Sequence, residues 1–575
     1  MSMVFGNREE AASMKKPIAI GIEDYKEMID KGYYYIDKTL FLRELLDKGS
    51  KVNLFTRPRR FGKTLALSMV RTFFEIDMEF SAVGQDSKHY FQGMKILQEG
   101  EKYTQHMAKY PVVCISLKSA KQPEFEMAYI SLQDEIVREY ERHGYVLEGD
   151  ALSASNQEKY RSIMEGKAEY VTYAKSLYFL MSCLKKYHKK NVILLIDEYD
   201  VPLENAYLRG FYGRMADFIR SLFESALKTN EDLEFAMITG CLRISKESIF
   251  TGLNNLKVFS LLNYSFAEYF GFTESEVFQM LDFYEICGKK EELKRWYDGY
   301  QFGDIEVYNP WSVINYVDDI VNQNDCFPKP YWSNTSSNSI VRELVDSADA
   351  GMKHEIEGLI AGGYIEKPIF EDTTYTDIHK TQDNLWNFLF FTGYLKAVEK
   401  RFLMGTIYVV MAIPNEEIRY IYRNTIHEWF QKKIKLTDFM PFYRAIFEGD
   451  SGKMEQIIKK HLMESISYYD SAEAFYHGFL LGLLSTLQDC EVASNQESGD
   501  GRPDIMLKPY DEQQCAIILE LKRASRYTQM DGLCEAALTQ IIEKNYQAEL
   551  LDEGYTKIRS YGICFCKKSC MVKMA

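Results

Sequence analysis

From about residue 33 to residue 240 the chain alternates short, almost uninterrupted apolar runs with longer amphipathic ones, and this alternation limits the fold more than any other feature. The runs VNLFT (52 to 56), PVVCISL (111 to 117), NVILLIDEYD (191 to 200) and EFAMITG (234 to 240) read as strands. Between them, TLALSMVRTFFE (64 to 75) and MADFIRSLFESAL (215 to 227) read as helices. Strands that are apolar at every position must be buried on both faces, which predicts a parallel α/β sheet covered by helices. Residues 271 to 460 read as mostly amphipathic helix, a helical middle domain with room for a winged-helix element, interrupted at WYDGYQFG (296 to 303), YNPWS (308 to 312) and GTIYVVMAIPN (405 to 415). The last stretch gives helix, strand, strand, helix, strand, a small independent α/β module. With 575 residues there is ample length for several cores, and the expected division is a flexible tail over 1–14, then domains over 15–270, 271–460 and 461–575.

The first strand runs into RPRRFGKT (57 to 64) and then directly into a helix, the context in which backbone N–H groups at a helix N-terminus surround a polyphosphate. Arg59, Arg60, Phe61, Gly62, Lys63, Thr64 and Leu65 are the candidate nucleotide-binding residues, with Lys63 reaching the β/γ-phosphates and Thr64 ligating Mg²⁺. A Walker A loop has glycine six residues before the lysine; here that position is Arg57, followed by Pro58, which has no N–H to offer. A second acidic element supports the first. The strand ending in Asp197 and Glu198 places one carboxylate to hold Mg²⁺ through water and another to polarise the attacking water. Thr239, at the end of EFAMITG, is placed to sense the γ-phosphate, and Arg243 or Lys246 to stabilise transition-state charge. No Asn-Lys-x-Asp guanine-reading tetrapeptide occurs, so ATP is expected over GTP.

In the C-terminal module Asp504 opens a strand, and Glu520 and Lys522 stand on the next with one residue between them, so they project from the same face. Two carboxylates that bind Mg²⁺ or Mn²⁺, with a lysine beside them, are what hydrolysis of a phosphodiester requires. Gln540 on the following helix and Glu473 on the leading helix are candidate additions to the same cleft. The net charge, 69 − 84 = −15, gives no global positive field, so a nucleic-acid contact needs a local patch, for which Lys522, Arg523, Arg526, Lys567 and Lys568 are the candidates.

These motifs resemble prokaryotic AAA-ATPase-like proteins that carry a C-terminal PD-(D/E)xK nuclease domain. The resemblance rests on GIEDYKEMIDKGYYYIDKT (21 to 39), LFTRPRRFGKTL (54 to 65), LLIDEYDVPL (194 to 203), TGCLRISKESIFTGLNNL (239 to 256), FYHGFLLGLL (475 to 484), SNQESGDGRPDIML (494 to 507) and IILELK (517 to 522). It implies a P-loop ATPase domain using Lys63, Thr64, Asp197 and Glu198, and a restriction-endonuclease-like fold using Asp504, Glu520 and Lys522. The resemblance implies ATP binding or hydrolysis by the first domain and no known substrate; the expected activity is ATP hydrolysis coupled to metal-dependent cleavage of nucleic acid, DNA before RNA. The alternative is an ATP-driven switch or scaffold whose nuclease-like domain binds nucleic acid without cutting. A homo-oligomer is left open.

The N-terminus carries acids and no apolar leader, no run approaches the ~20 residues that span a bilayer, and the eleven cysteines are irregularly spaced. A cytoplasmic protein with free thiols and no membrane partner is expected. Cys564, Cys566 and Cys570 have no neighbouring histidine and are expected to be structural thiols.

Overall fold

The computed structural model describes residues 15–76, 87–242, 249–250, 253–323, 326–334, 341, 350–371, 381–425, 438–464, 473–484, 487–494 and 501–575. The chain divides into two compact units, Met1–Ser337 with Glu366–Arg419, and Asn338–Ile365 with Tyr420–Ala575.

The first unit is built on a five-stranded parallel sheet of β1 (Val52–Thr56), β2 (Val112–Ser116), β3 (Val192–Asp197), β4 (Leu233–Gly240) and β5 (Leu256–Phe259), in the order β2-β3-β4-β1-β5. Every residue of β1 and β3 is buried, as their unbroken apolar runs require. The helices Lys63–Phe74, Phe125–Arg142, Ser176–His188 and Tyr212–Leu227 pack on this sheet. Parallel neighbours cannot be joined by a hairpin, so helices carry the chain from β1 to β2, from β2 to β3 and from β3 to β4, and the acidic and hydroxyl residues that end β1, β3 and β4 collect at the carboxyl ends of the strands.

The sequence beyond 271 adds helices, among them Glu274–Phe283 and Pro310–Gln323, and five short strands that a mostly helical reading does not contain. β6 (Tyr300–Phe302) and β7 (Ile305–Val307) form an antiparallel hairpin. β8 (Ile365–Ile369), β9 (Lys396–Leu403) and β10 (Thr406–Ala412) form a sheet in the order β8-β10-β9. Three-residue strands are too short to show a period, and β9 carries charge at four of its eight positions, which hides its alternation. Val277, Leu281, Leu293, Tyr297, Tyr308 and Val317 make a core against which Ile18, Tyr34 and Ile36 of the N-terminal segment pack.

The second unit carries a mixed sheet in the order β11-β12-β13-β14-β15: β11 (Cys490–Ser494), β12 (Ile505–Pro509), β13 (Ala516–Arg523), β14 (Ile558–Cys566) and β15 (Ser569–Met574). Only β13 and β14 are parallel, and the helix Met530–Glu543 supplies their crossover. The period of two is plain along β13. Ile517, Leu519 and Leu521 pack into one core with Leu480, Leu483 and Leu484 of the helix Glu473–Leu484, while Ala516 and Ile518 pack into another with Ile541. Strands β11 and β15, at the two edges of this sheet, extend the expected helix, strand, strand, helix, strand order. Gly562 of β14 stands beside Glu520 of β13, and a Cβ there would collide with the Cys534 carbonyl and lie 3.1 Å from Ala537 Cβ, so glycine is what lets the crossover helix approach the sheet.

Candidate functional site

In the first unit the chain leaves β1, turns through residues 57–62 and enters the helix at Lys63. Gly62, the residue before the helix, is left-handed at φ 78°, a conformation that favours glycine, and Arg60 adopts the same region at φ 70° without being one. Lys63 Nζ donates to the carbonyl oxygens of Arg57 at 2.9 Å and Pro58 at 2.8 Å, so the loop's own backbone holds the ammonium. Thr64 Oγ1 donates to Asp197 Oδ2 at 2.7 Å, and the Thr239 hydroxyl donates to the other oxygen of Asp197. Glu198 follows at φ 51°, and burial, with the charge of Asp197 added, lifts its carboxyl above the usual range. A cavity of about 470 Å³ runs along this loop; Arg59, Arg60, Phe61, Gly62, Lys63, Thr64, Leu65 and Glu198 all border it. Its other wall is apolar, with Ile22, Tyr35, Phe272, Met280 and Ile314 among the residues that form it. The site therefore offers cations and N–H groups at one end and hydrocarbon at the other, the division a nucleotide presents. Thr64 and Asp197, already within hydrogen-bond distance, are the oxygen donors that fit a hard cation.

Arg57, in the place of the Walker glycine, is fully buried. Nη1 donates to the carbonyls of Thr56 and Phe259 at 2.9 and 2.8 Å, whereas Nε and Nη2 have no partner, and burial pulls the guanidinium down to about 9. Asp200 was not singled out by its sequence context; it is buried and accepts from the backbone N–H groups of Cys241 and Leu242 at 2.7 and 3.0 Å, fixing the chain after β4. Arg243 and Lys246 lie outside the described residues.

In the second unit Ile505 of β12 faces Leu519 of β13, so by continuation of the register Asp504 stands opposite Glu520. This pairing brings the two carboxylates together. Glu520 is only 2% exposed, Oε1 lies 3.0 Å from Lys522 Nζ, and Oε2 is buried without a hydrogen-bond partner. Burial, then the charge of Asp504, pushes its carboxyl up to about 7. Asp504 Oδ2 accepts from the Leu521 backbone N–H at 2.7 Å. A buried carboxylate oxygen lacking a donor, beside a second carboxylate, fits a divalent cation. Among the described residues no group of three or more His, Cys, Asp or Glu side chains converges, and Asp504 and Glu520 are the carboxylates described here. Glu473 begins the leading helix and its side chain lies outside the described residues, while the recorded partner of Gln540 is Tyr546 Oη at 3.1 Å. His477, which the sequence motif contained but did not single out, has Nε2 2.9 Å from the Asp504 carbonyl oxygen and 3.0 Å from Ser494 Oγ.

Arg523, Arg526 and Lys567 are exposed, and Lys568 is half-buried. Cys564 and Cys566 are buried with Cys534 and Met530, whereas Cys570 packs into the other core, so the three do not share a site.

Comparison with known proteins finds a family in each of these two parts of the chain. The family described as Predicted AAA-ATPase matches residues 19–250, and the PD-(D/E)XK nuclease superfamily matches residues 471–575. A protein of Azotobacter chroococcum mcd 1, described as "Uncharacterized protein in vnfD 5'region", is 26% identical over 339 residues, which is 58% of this chain and 56% of that relative. The chain thus spans little more than half the length of the curated relative it matches. The part of the chain that carries the five-stranded parallel sheet thus matches an AAA-ATPase-like domain, and the part that carries the C-terminal mixed sheet matches a PD-(D/E)XK nuclease superfamily domain.

Proposed function

We propose that this protein is an ATP-regulated, metal-dependent nuclease, in which the first unit binds and hydrolyses ATP and the second cleaves phosphodiester bonds, with DNA as the preferred nucleic acid. The observation that carries the reading is Glu520: a buried carboxylate with an oxygen that has no hydrogen-bond partner among the described residues, set beside Asp504 and Lys522.

In the second unit Asp504 and Glu520 would hold Mg²⁺ or Mn²⁺, which when bound supplies charge neutralisation at the attacked phosphate. Lys522 orients water or meets the charge that develops as the phosphorus–oxygen bond to the leaving group breaks. Arg523, Arg526 and Lys567 offer positive charge to the phosphate backbone within an otherwise acidic chain. In the first unit Lys63 exchanges two loop carbonyls for the β/γ-phosphates, and Thr64 with Asp197 would hold Mg²⁺. Glu198, its proton affinity raised by burial, polarises the attacking water.

The test is incubation of full-length protein with labelled single- and double-stranded DNA in Mg²⁺ or Mn²⁺, beside Glu520→Ala. Cutting by wild type and none by the variant supports the reading. Cutting that survives Glu520→Ala removes it, and DNA binding without cutting in either metal points to a nucleotide-driven switch.

A further inference from the structure

The phosphate-binding loop of this chain is held by residues that lie outside the matched ATPase segment. Arg57, Arg60 and Phe61 each meet an aromatic partner from further along the sequence, while Arg59 pairs with Glu204. Arg57 lies 5.1 Å from the Phe270 ring and 5.2 Å from Phe302, and Phe61 packs 4.9 Å from Tyr300 and 5.2 Å from Phe302. Arg60 stacks 4.4 Å from the Trp311 ring. Gly393 closes against Pro58, which a Cβ at that position would approach to 2.9 Å.

This packing bears on backbone strain. Arg60 has φ 70°, a conformation that costs a non-glycine residue free energy and persists only where the surroundings hold it. Arg60 is exposed, so burial does not hold it, and its guanidinium lies over the indole of Trp311. Trp311 is the fixed member of the pair. Its Nε1 donates to the Tyr331 carbonyl at 3.3 Å, and its backbone N–H donates to Asn309 Oδ1 at 3.0 Å. The next residue, Ser312, donates to the buried carboxylate of Glu417 at 2.9 Å. Arg60 and Trp311 both border the cavity that Lys63 and Thr64 border.

Resting on the nucleotide reading above, we propose that Trp311 is a positioning residue of that site: its indole face holds Arg60, and through Arg60 keeps the glycine-poor loop in the shape that receives a triphosphate. A cation held over an indole face is attracted by the ring quadrupole, and phenylalanine retains that attraction in weaker form.

The experiment is equilibrium binding of a fluorescent ATP analogue, displaced by ATP, to full-length wild type, Trp311→Ala, Trp311→Phe, Arg60→Ala and the Trp311→Ala/Arg60→Ala double variant, with thermal melts of each. Trp311→Ala and Arg60→Ala should each weaken ATP binding about fivefold, and the double variant about as much as either alone. Trp311→Phe should recover binding to within about twofold of wild type. Binding by Trp311→Ala equal to wild type, full additivity in the double variant, or no recovery in Trp311→Phe would overturn the proposal. A wild type that binds no ATP would instead contradict the nucleotide reading on which it rests.

Discussion

At the loop after β1, Lys63 is bonded to two loop carbonyls and Asp197 to the hydroxyls of Thr64 and Thr239, whereas on β13 Glu520 keeps one buried carboxylate oxygen with no hydrogen-bond partner among the described residues. A ligand entering the first site exchanges protein bonds for its own and gains the difference. A cation entering the second supplies what the protein lacks, and the gain is larger because an unserved buried charge is costly. The two sites therefore differ in how they respond to an empty state. At the nucleotide loop Lys63, Thr64 and Asp197 are bonded to protein without ligand, although the buried Arg57 guanidinium has two nitrogens without a hydrogen-bond partner among the described residues, and the carboxylate pair is under electrostatic demand.

Four experiments would break or sharpen this contrast. The largest effect is expected from Glu520→Ala, which removes the unserved carboxylate and should lower DNA cleavage by at least about a hundredfold while ATP affinity stays at the wild-type level. Lys63→Ala comes next, because it removes the ammonium that charge-assisted bonds to phosphate require: ATP affinity should fall at least about tenfold in the same displacement assay. Gly562→Ala tests the second unit's framework, since the new Cβ meets the Cys534 carbonyl and Ala537; a destabilisation of about 1–2 kcal/mol in denaturant titration is expected, with ATP affinity unchanged. A loss of ATP affinity in that variant would contradict the separation drawn between the sites.

The smallest effect is one of pH. Glu520 is raised to about 7, so between the ordinary carboxylate range and that value the folded protein retains a proton that the unfolded chain has released. The stabilisation is fully present below the unfolded value and is lost as pH rises through about 7. Without divalent metal, the melting temperature of wild type should drop relative to Glu520→Gln by about 2–5 °C between about pH 5 and about pH 8. Mg²⁺ at the higher pH should restore wild type and leave Glu520→Gln unmoved, and an equal response in both would show that Glu520 holds no cation.

Much of this was legible in the sequence where local pattern decides structure. The apolar runs located β1 to β4 to within a few residues, because strands buried largely on both faces are apolar at most positions. The spacing of Glu520 and Lys522 on a strand gave their common face, and their 3.0 Å contact is its direct consequence. The partner strand brought Asp504 to them, which register decides and spacing alone does not. The aromatic hold on the loop was not legible, because Trp311 is separated from Arg60 by about two hundred and fifty residues and YNPWS reads locally as a break. The partnerless oxygen of Glu520 was equally hidden, since an E-x-K pair on an exposed edge would look the same in sequence.

The central claim is tested most directly by the rate of metal-dependent DNA cleavage with and without ATP, in wild type and in Lys63→Ala. The account predicts that ATP changes the wild-type rate and leaves the Lys63→Ala rate where it is without nucleotide, while Glu520→Ala cuts in neither case. An identical ATP response in wild type and Lys63→Ala, or a wild-type rate indifferent to ATP, would contradict it.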